Sequence, residues 1–350
     1  MKILHVVWVL RFGGIETMLM NIANEQVTLG HEVGILLIDE GAADPEVVKR
    51  LDKHVAVFCA GRKYGVFDIP AYWRLNRIIK RFKPDTIHLH SAAMFKYLAP
   101  QQRRLCNVTL HALCNKPNTD QIEKIPRVFA ISQSVADDLM QKKRVKSIVN
   151  PNGINPELIS FNKEKTTNKL LRIVQVSRLD HPHKGQHLLI LAGKMLVDRG
   201  YTNFTIDFIG GGPSFDYLEK MVRENGMNEK IHFLGMKDQQ YIYEHLCEYD
   251  LFVQPSIYEG FGLTVAEAMA AKVPVLVSSG QGPEEVIDYG KSGYVFRNGD
   301  VVDCADKIEV FLKGENDKTF VEKSFDRVRN VYNVKVTVKT YLDNYIIKGK

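Results

Sequence analysis

The sequence predicts an α/β protein with two parallel sheets, each covered by helices. Three observations lead there. Apolar runs of strand length alternate with helix-length amphipathic segments. A cluster rich in Pro, Gly and Asn interrupts the alternation at residues 150–156, and a second alternation begins at Arg172. The length, 350 residues, suits two domains of ordinary size. The expected division is a first domain over 1–165, a second over 166–330, and a C-terminal helical segment over 331–350.

In the first half, residues 3–9 read as a buried strand and 14–29 as the helix after it. Residues 33–38 form the next apolar strand. A basic amphipathic helix at 72–82 ends at Pro84, because proline disfavours helical backbone at the residue before it. Short strands follow at 86–89, 108–110 and 128–131. Ser132 suits the N-cap of a helix running to about 140. In the second half, strands are expected at 172–176, 204–209, 231–234 and 251–253. Helices are expected at 186–199, 215–224 and 263–271, the last closed by Pro274. Residues 317–348 also have helical spacing. Ligands of such sheets bind outside the carboxyl ends of the strands, here facing across the cleft between two sheets.

Composition excludes several classes. At 45% hydrophobic and 25% charged residues the chain is an ordinary globular one. No apolar run reaches the 18 or so residues of a spanning helix. The start lacks the long apolar core of a signal peptide. Five dispersed cysteines fit reduced thiols and a cytoplasmic location. The net charge of +6 is uneven: residues 1–165 carry +8 and 166–350 carry −2. Residues 62–104 hold ten basic side chains and two acidic ones. That stretch is either a solvated helix face or a contact for an anionic membrane surface or a phosphate-bearing acceptor. No nucleic-acid motif accompanies it, so no nucleic-acid partner is expected.

The most informative segment is Glu259-Gly260-Phe261-Gly262-Leu263-Thr264-Val265-Ala266-Glu267. Glu259 lies on the loop after a strand, and Glu267 lies inside the next helix. The glycines let backbone approach a ligand, and the free N–H groups at the helix start favour an anion. Carboxylates accept hydrogen bonds, which hydroxyl-rich sugars donate. A phosphate seat flanked by two hydroxyl acceptors describes a nucleotide-sugar site. Arg178 ends a strand and Lys184 precedes a helix, so the two cations can clamp a diphosphate. Gly13 and Gly14, in Arg11-Phe12-Gly13-Gly14-Ile15-Glu16-Thr17, form either a plain tight turn or another N–H-rich helix start. His111, after a short strand, is either a structural histidine or a neutral donor to a sugar hydroxyl. His88 and His90 are weaker candidates that can line the cleft. His181 and His183 lack a further ligand and read as loop, so no metal site is expected.

Together these segments resemble the retaining glycosyltransferases of family 4, with the GT-B fold of two Rossmann-like domains facing across a cleft. The Glu259–Glu267 string is similar to that family's Glu-x7-Glu element. Gly-Gly-Ile-Glu-Thr resembles the form in capsular and exopolysaccharide transferases. The resemblance covers nearly the whole chain and implies the roles that follow. A sugar moves from a nucleotide diphosphate, UDP favoured, to an acceptor hydroxyl on a saccharide or lipid-linked saccharide. Glu259, His111, Arg178 and Lys184 are the implied catalytic residues. Gly14, Arg178, Lys184, Met236, Glu259, Gly260, Phe261, Gly262, Leu263 and Glu267 are the implied donor-binding residues. Glu267 would take the ribose hydroxyls, Met236 would lie near the base, and residues 261–263 would contribute backbone. The last helix would cross back to the first domain.

The chain has no Asp-x-Asp, the pair that usually holds a diphosphate through a divalent cation. Cations and helix starts are expected to replace it, with no metal or other cofactor. One departure from the family pattern is the segment 277–286, which does not align clearly. A sugar-nucleotide epimerase on the same fold is the alternative enzyme, but it needs acid and base residues that are not visible. A nicotinamide dehydrogenase is suggested by Gly210-Gly211-Gly212, yet Gly-x-Gly-x-x-Gly is absent. A non-catalytic carbohydrate module would not need Arg178, Lys184, Glu259 and Glu267 together.

Overall fold

Two open parallel sheets organise the chain in a computed structural model that describes residues 1–11, 13–63, 68–115, 118–161 and 170–349. Phe12 and the polar stretch 162–168 of the expected linker lie outside the described residues. The chain divides into one unit of Met1–Ile154 with Asn333–Lys350, and a second of Asn155–Tyr332. The boundary falls inside the 150–156 cluster, ahead of the 165/166 junction read from composition. The second boundary falls at Tyr332 rather than at residue 330.

The first unit contains β1 (Lys2–Val7), β2 (Glu32–Asp39), β3 (Ala56–Arg62), β4 (Thr86–Leu89), β5 (Cys106–Leu110), β6 (Arg127–Ala130) and β7 (Ile148–Val149). Their order is β3-β2-β1-β4-β5-β6-β7. The second unit contains β8 (Leu171–Val176), β9 (Phe204–Ile209), β10 (Ile231–Gly235), β11 (Leu251–Gln254), β12 (Val275–Ser278) and β13 (Tyr294–Phe296). Their order is β10-β9-β8-β11-β12-β13. Central strands are apolar almost throughout because helices cover both faces of a parallel sheet. In the second unit Ile173, Phe204, Ile206, Phe208, Leu251, Val253 and Leu276 form the core with Leu189 and Leu196 of helix Gln186–Asp198. In each sheet the connections reverse direction beside the first strand, between β1 and β4 and between β8 and β11. That reversal opens a crevice at the strands' carboxyl ends.

The helical stretch near the C-terminus is two helices, Thr319–Val331 and Val334–Asn344. The break at Tyr332 and Asn333 is where the chain returns to the first unit. Asn333 caps the second helix by accepting from the Lys335 N–H at 3.0 Å. The 150–156 cluster is held there by ordered bonds. Val334 N–H donates to Ile154 O at 2.7 Å, Thr337 Oγ1 to Pro151 O at 2.9 Å, and Asn150 Nδ2 to Thr337 O at 3.1 Å.

Candidate functional site

In the second unit the predicted donor-side residues gather at the β8/β11 reversal. Arg178 follows β8 on an exposed turn, and its guanidinium has no hydrogen bond or ion pair among the described residues. Lys184 ends the short helix His181–Lys184. Its ammonium donates to Glu259 Oε2, so loops after neighbouring strands are tied by an ion pair at the crevice. Gly185 makes this approach possible. It has φ +67°, and a Cβ there would lie 1.8 Å from Pro255 O on the β11 side. The Gly210–Gly212 turn after β9 has a similar task. A Cβ on Gly210 would fall 2.0 Å from Ser177 O, and Leu179 N–H donates to Gly211 O at 3.0 Å. The glycines that suggested a dinucleotide turn therefore pack backbone against the Arg178 loop.

Three glutamines that the sequence analysis did not single out brace these loops. Gln186 Nε2 donates to Arg178 O at 2.9 Å, and Gln175 Nε2 to Lys184 O at 3.0 Å. The Glu259 N–H donates to Gln281 Oε1 at 3.0 Å, and Gly282 N–H to Glu259 O at 2.9 Å. The unaligned segment 277–286 thus holds the backbone of Glu259. The available signal was polarity in the wrong place: Gln175 and Gln186 are fully buried amides in apolar elements.

Helix Leu263–Ala270 starts after Gly262, its N-cap, with no side-chain cap. The Val265 N–H donates to Gly262 O at 3.0 Å, whereas the N–H groups of Leu263 and Thr264 have no partner among the described residues and are open to an anion. The Phe261 side chain packs edge-on against Tyr332 at 5.4 Å between ring centres, which leaves only its backbone for a ligand. Glu267 is 6% exposed on the buried side of this helix. Burial pushes its carboxyl up to about 8, while a hydrogen bond from Tyr243 acts the other way. A carboxyl this reluctant to ionise gains from any hydroxyl that donates to it. Met236, after β10, is 82% exposed.

In the first unit, Gly14 opens helix Gly14–Thr28 after the extended cap Gly13. The Glu16 side chain folds over this start, and its own backbone N–H bonds the carboxyl. His111 follows β5, is half-buried, and ends a chain of imidazoles whose other members, His5, His88 and His90, are buried. His5 in β1 and His88 in β4 are register partners. His5 Nδ1 lies 3.1 Å from His90 Nε2, and His90 Nδ1 lies 3.1 Å from His111 Nε2. Burial lowers every one of these rings: His5 and His111 to about 4, His88 and His90 well below their usual value. Nitrogens of His5, His88 and His90 fall within 4.8 Å of one another, as a metal would need. Yet both nitrogens of each ring are engaged in hydrogen bonds. The rings of His88 and His90 are also stacked at 15°, so their in-plane lone pairs run parallel instead of converging. Hydrogen bonding accounts for the cluster.

Comparisons with known proteins bear on the family and the fold. The family model for glycosyltransferase family 4 matches residues 12–158, and that for glycosyl transferases group 1 matches residues 157–326. The N-acetyl-alpha-D-glucosaminyl L-malate synthase of Bacillus anthracis is 27% identical over 72% of this chain and 73% of its own length. The amylovoran biosynthesis glycosyltransferase AmsK of Erwinia amylovora is 30% identical over 47% of this chain and 42% of its own. Anabaena HepE, solved with UDP and glucose, superposes with a TM-score of 0.78 at 19% identity, covering 98% of both chains. The chain belongs to the group 1 glycosyltransferases of family 4 and has the GT-B fold.

Proposed function

We propose that this chain moves a sugar from a nucleotide diphosphate, UDP favoured, to an acceptor hydroxyl with retention at the anomeric carbon. The pathway would be cell-surface polysaccharide assembly. The observation that carries the reading is the Lys184–Glu259 ion pair at the β8/β11 reversal, with Arg178, unpaired among the described residues, on the same loop. The barrier to such transfer is charge separation: the diphosphate leaves with negative charge as the sugar becomes cationic. Arg178, Lys184 and the open start of helix Leu263–Ala270 would stabilise the leaving group, usually the largest catalytic term. Lys184 would turn from Glu259 toward the diphosphate and free the carboxylate for sugar hydroxyls. Glu267 would take the ribose hydroxyls. Support for UDP and for a polysaccharide role comes from HepE, which binds UDP and glucose, and from AmsK, named for amylovoran.

The acceptor would be a saccharide or lipid-linked saccharide met at the inner face of the cell membrane. No described helix is long and apolar enough to cross a membrane, so contact would be peripheral. With cations and helix starts gripping the diphosphate, no metal or other cofactor is invoked. Thermal melts with UDP, GDP and ADP, each with and without EDTA, test the donor side. A nucleotide at about 100 times its Kd adds about 2.7 kcal/mol. UDP should raise Tm most, and equally in chelator. No shift with any diphosphate would overturn the donor site; a shift abolished by EDTA would overturn the metal-free grip.

A further inference from the structure

We propose that Gln26, His5 and His90 are positioning residues that lock His111 in one tautomer, proton on Nε2 and Nδ1 bare. His111 then accepts a hydrogen bond from a ligand hydroxyl, the reverse of the donor role assigned from sequence. The nature of the ligand rests on the glycosyl-transfer reading, whereas the tautomer does not.

The direction begins at Gln26, whose amide has chemically distinct ends. Its Oε1 lies 2.8 Å from His5 Nε2, and its Nε2 donates to the Tyr345 hydroxyl at 3.5 Å. A carbonyl oxygen only accepts, so His5 carries its proton on Nε2. A neutral imidazole has one proton, and burial keeps all these rings neutral near pH 7. His5 Nδ1 is therefore a lone pair, and His90 Nε2–H donates the 3.1 Å bond to it. By the same step His90 Nδ1 is bare, and His111 Nε2–H donates to it at 3.1 Å. The chain ends at His111 Nδ1. That atom is buried and has no hydrogen-bond partner among the described residues.

The other branch obeys the same amide. The Tyr345 hydroxyl, receiving from Gln26, donates to His88 Nδ1 at 2.7 Å. His88 then donates from Nε2 to Thr109 Oγ1 at 2.8 Å, and Thr109 meets the Tyr341 hydroxyl at 2.9 Å. Gln26 is fully buried, as are His5 and His88, so water does not scramble the order. A bare buried nitrogen attracts an O–H and repels a phosphate or carboxylate oxygen. The group that reaches His111 is thus a hydrogen-bond donor, and on the glycosyl-transfer reading a sugar hydroxyl.

The first test needs no activity. Nitrogen-15 spectra of the labelled full chain report which ring nitrogen carries the proton, with His111 signals identified by their loss in His111→Gln. Between pH 6 and 8 His111 should show a protonated Nε2 and a bare Nδ1. A protonated Nδ1, or two averaged nitrogens, overturns the proposal. In Gln26→Met, which keeps the length but loses the amide, the two nitrogens should average; an unchanged pattern would show that Gln26 does not set the tautomer. The second test uses UDP-glucose and its monodeoxyfluoro analogues, because fluorine cannot donate. One analogue should lose about tenfold in kcat/KM, and that penalty should vanish in His111→Ala. If no analogue shows a His111-dependent penalty, the acceptor role fails. If UDP-glucose and other UDP-sugars are not turned over at all, the transfer reading fails and the nitrogen spectra alone decide the tautomer.

Discussion

At the residue scale the site depends on a few charges held in unequal surroundings. Lys184 and Glu259 satisfy each other, whereas Arg178 waits exposed. Arg178→Ala and Lys184→Ala should each lower turnover by roughly 10²–10³, the cost of losing one donor to the transition state. Melts should separate the two variants. Arg178→Ala leaves the fold intact, while Lys184→Ala leaves Glu259 without its cation and lowers Tm modestly. Near-normal turnover at saturating donor in either variant would refute the diphosphate clamp. Glu267 makes a different prediction, in stability. Its carboxyl is raised from 4.5 to about 8, so between those values the native state holds more protons than the unfolded chain. Unfolding free energy from this group is therefore highest at low pH and is lost as pH rises through that window. Glu267→Gln is neutral and of the same shape. Wild type and variant should melt alike near pH 5, and the variant should melt higher at pH 8.5. Parallel curves across this range would mean that Glu267 is ionised despite its burial.

At the element scale, loops are positioned by close backbone approach, and this decides what could be read beforehand. Gly185→Ala would place a methyl group 1.8 Å from Pro255 O at φ +67°. The clash and the strain together should cost about 2–4 kcal/mol, measured by denaturant titration. Turnover should fall as well, because the Lys184–Glu259 contact depends on that approach. A stability loss below 1 kcal/mol would show that the loops can part without consequence. Central strands other than β12, with their helices, were legible because burial on both faces writes a continuous apolar run: β9 and helix Phe215–Glu224 match the expected limits. Of the four edge strands only β10 was. β3 has Cys59 exposed and only Ala60 buried, and β7 is only two residues, so neither carries that signature. The Glu259–Glu267 spacing was legible because its parts are local in sequence. The histidine chain was not, since His5, Gln26, His90, His111 and Tyr345 are brought together by strand order and by the returning helix.

At the scale of the whole molecule, the charge imbalance between halves becomes a specific surface in the first unit. Several cations of the 62–104 stretch have internal tasks. Arg62 pairs with Asp39, Arg74 donates to Ala60 O and Gly61 O, and Arg103 donates to Leu98 O and Lys96 O. Others point outward along helix Ile69–Phe82. Ile69, Trp73, Arg77 and Lys80 with Arg81 follow one another at helical spacing, and all are exposed, Trp73 at 69%. The buried face of the same helix is Ala71, Leu75, Ile79 and Phe82. An exposed tryptophan followed by a run of cations suits the interface of an anionic bilayer, where each cation contributes about 1 kcal/mol and the indole seats among headgroups. Flotation with phosphatidylglycerol vesicles should recover the protein at low salt and lose it at high salt, as screening shortens the reach of surface charge. Neutralising Arg77, Lys80, Arg81 and Lys83 should abolish recovery, and Trp73→Ala should weaken it while leaving the salt dependence. Transfer to a soluble acceptor should be unaffected by either change, because none of these side chains belongs to the donor site. Absence of flotation at low salt, or flotation indifferent to these substitutions, would remove the membrane and make a soluble saccharide the acceptor.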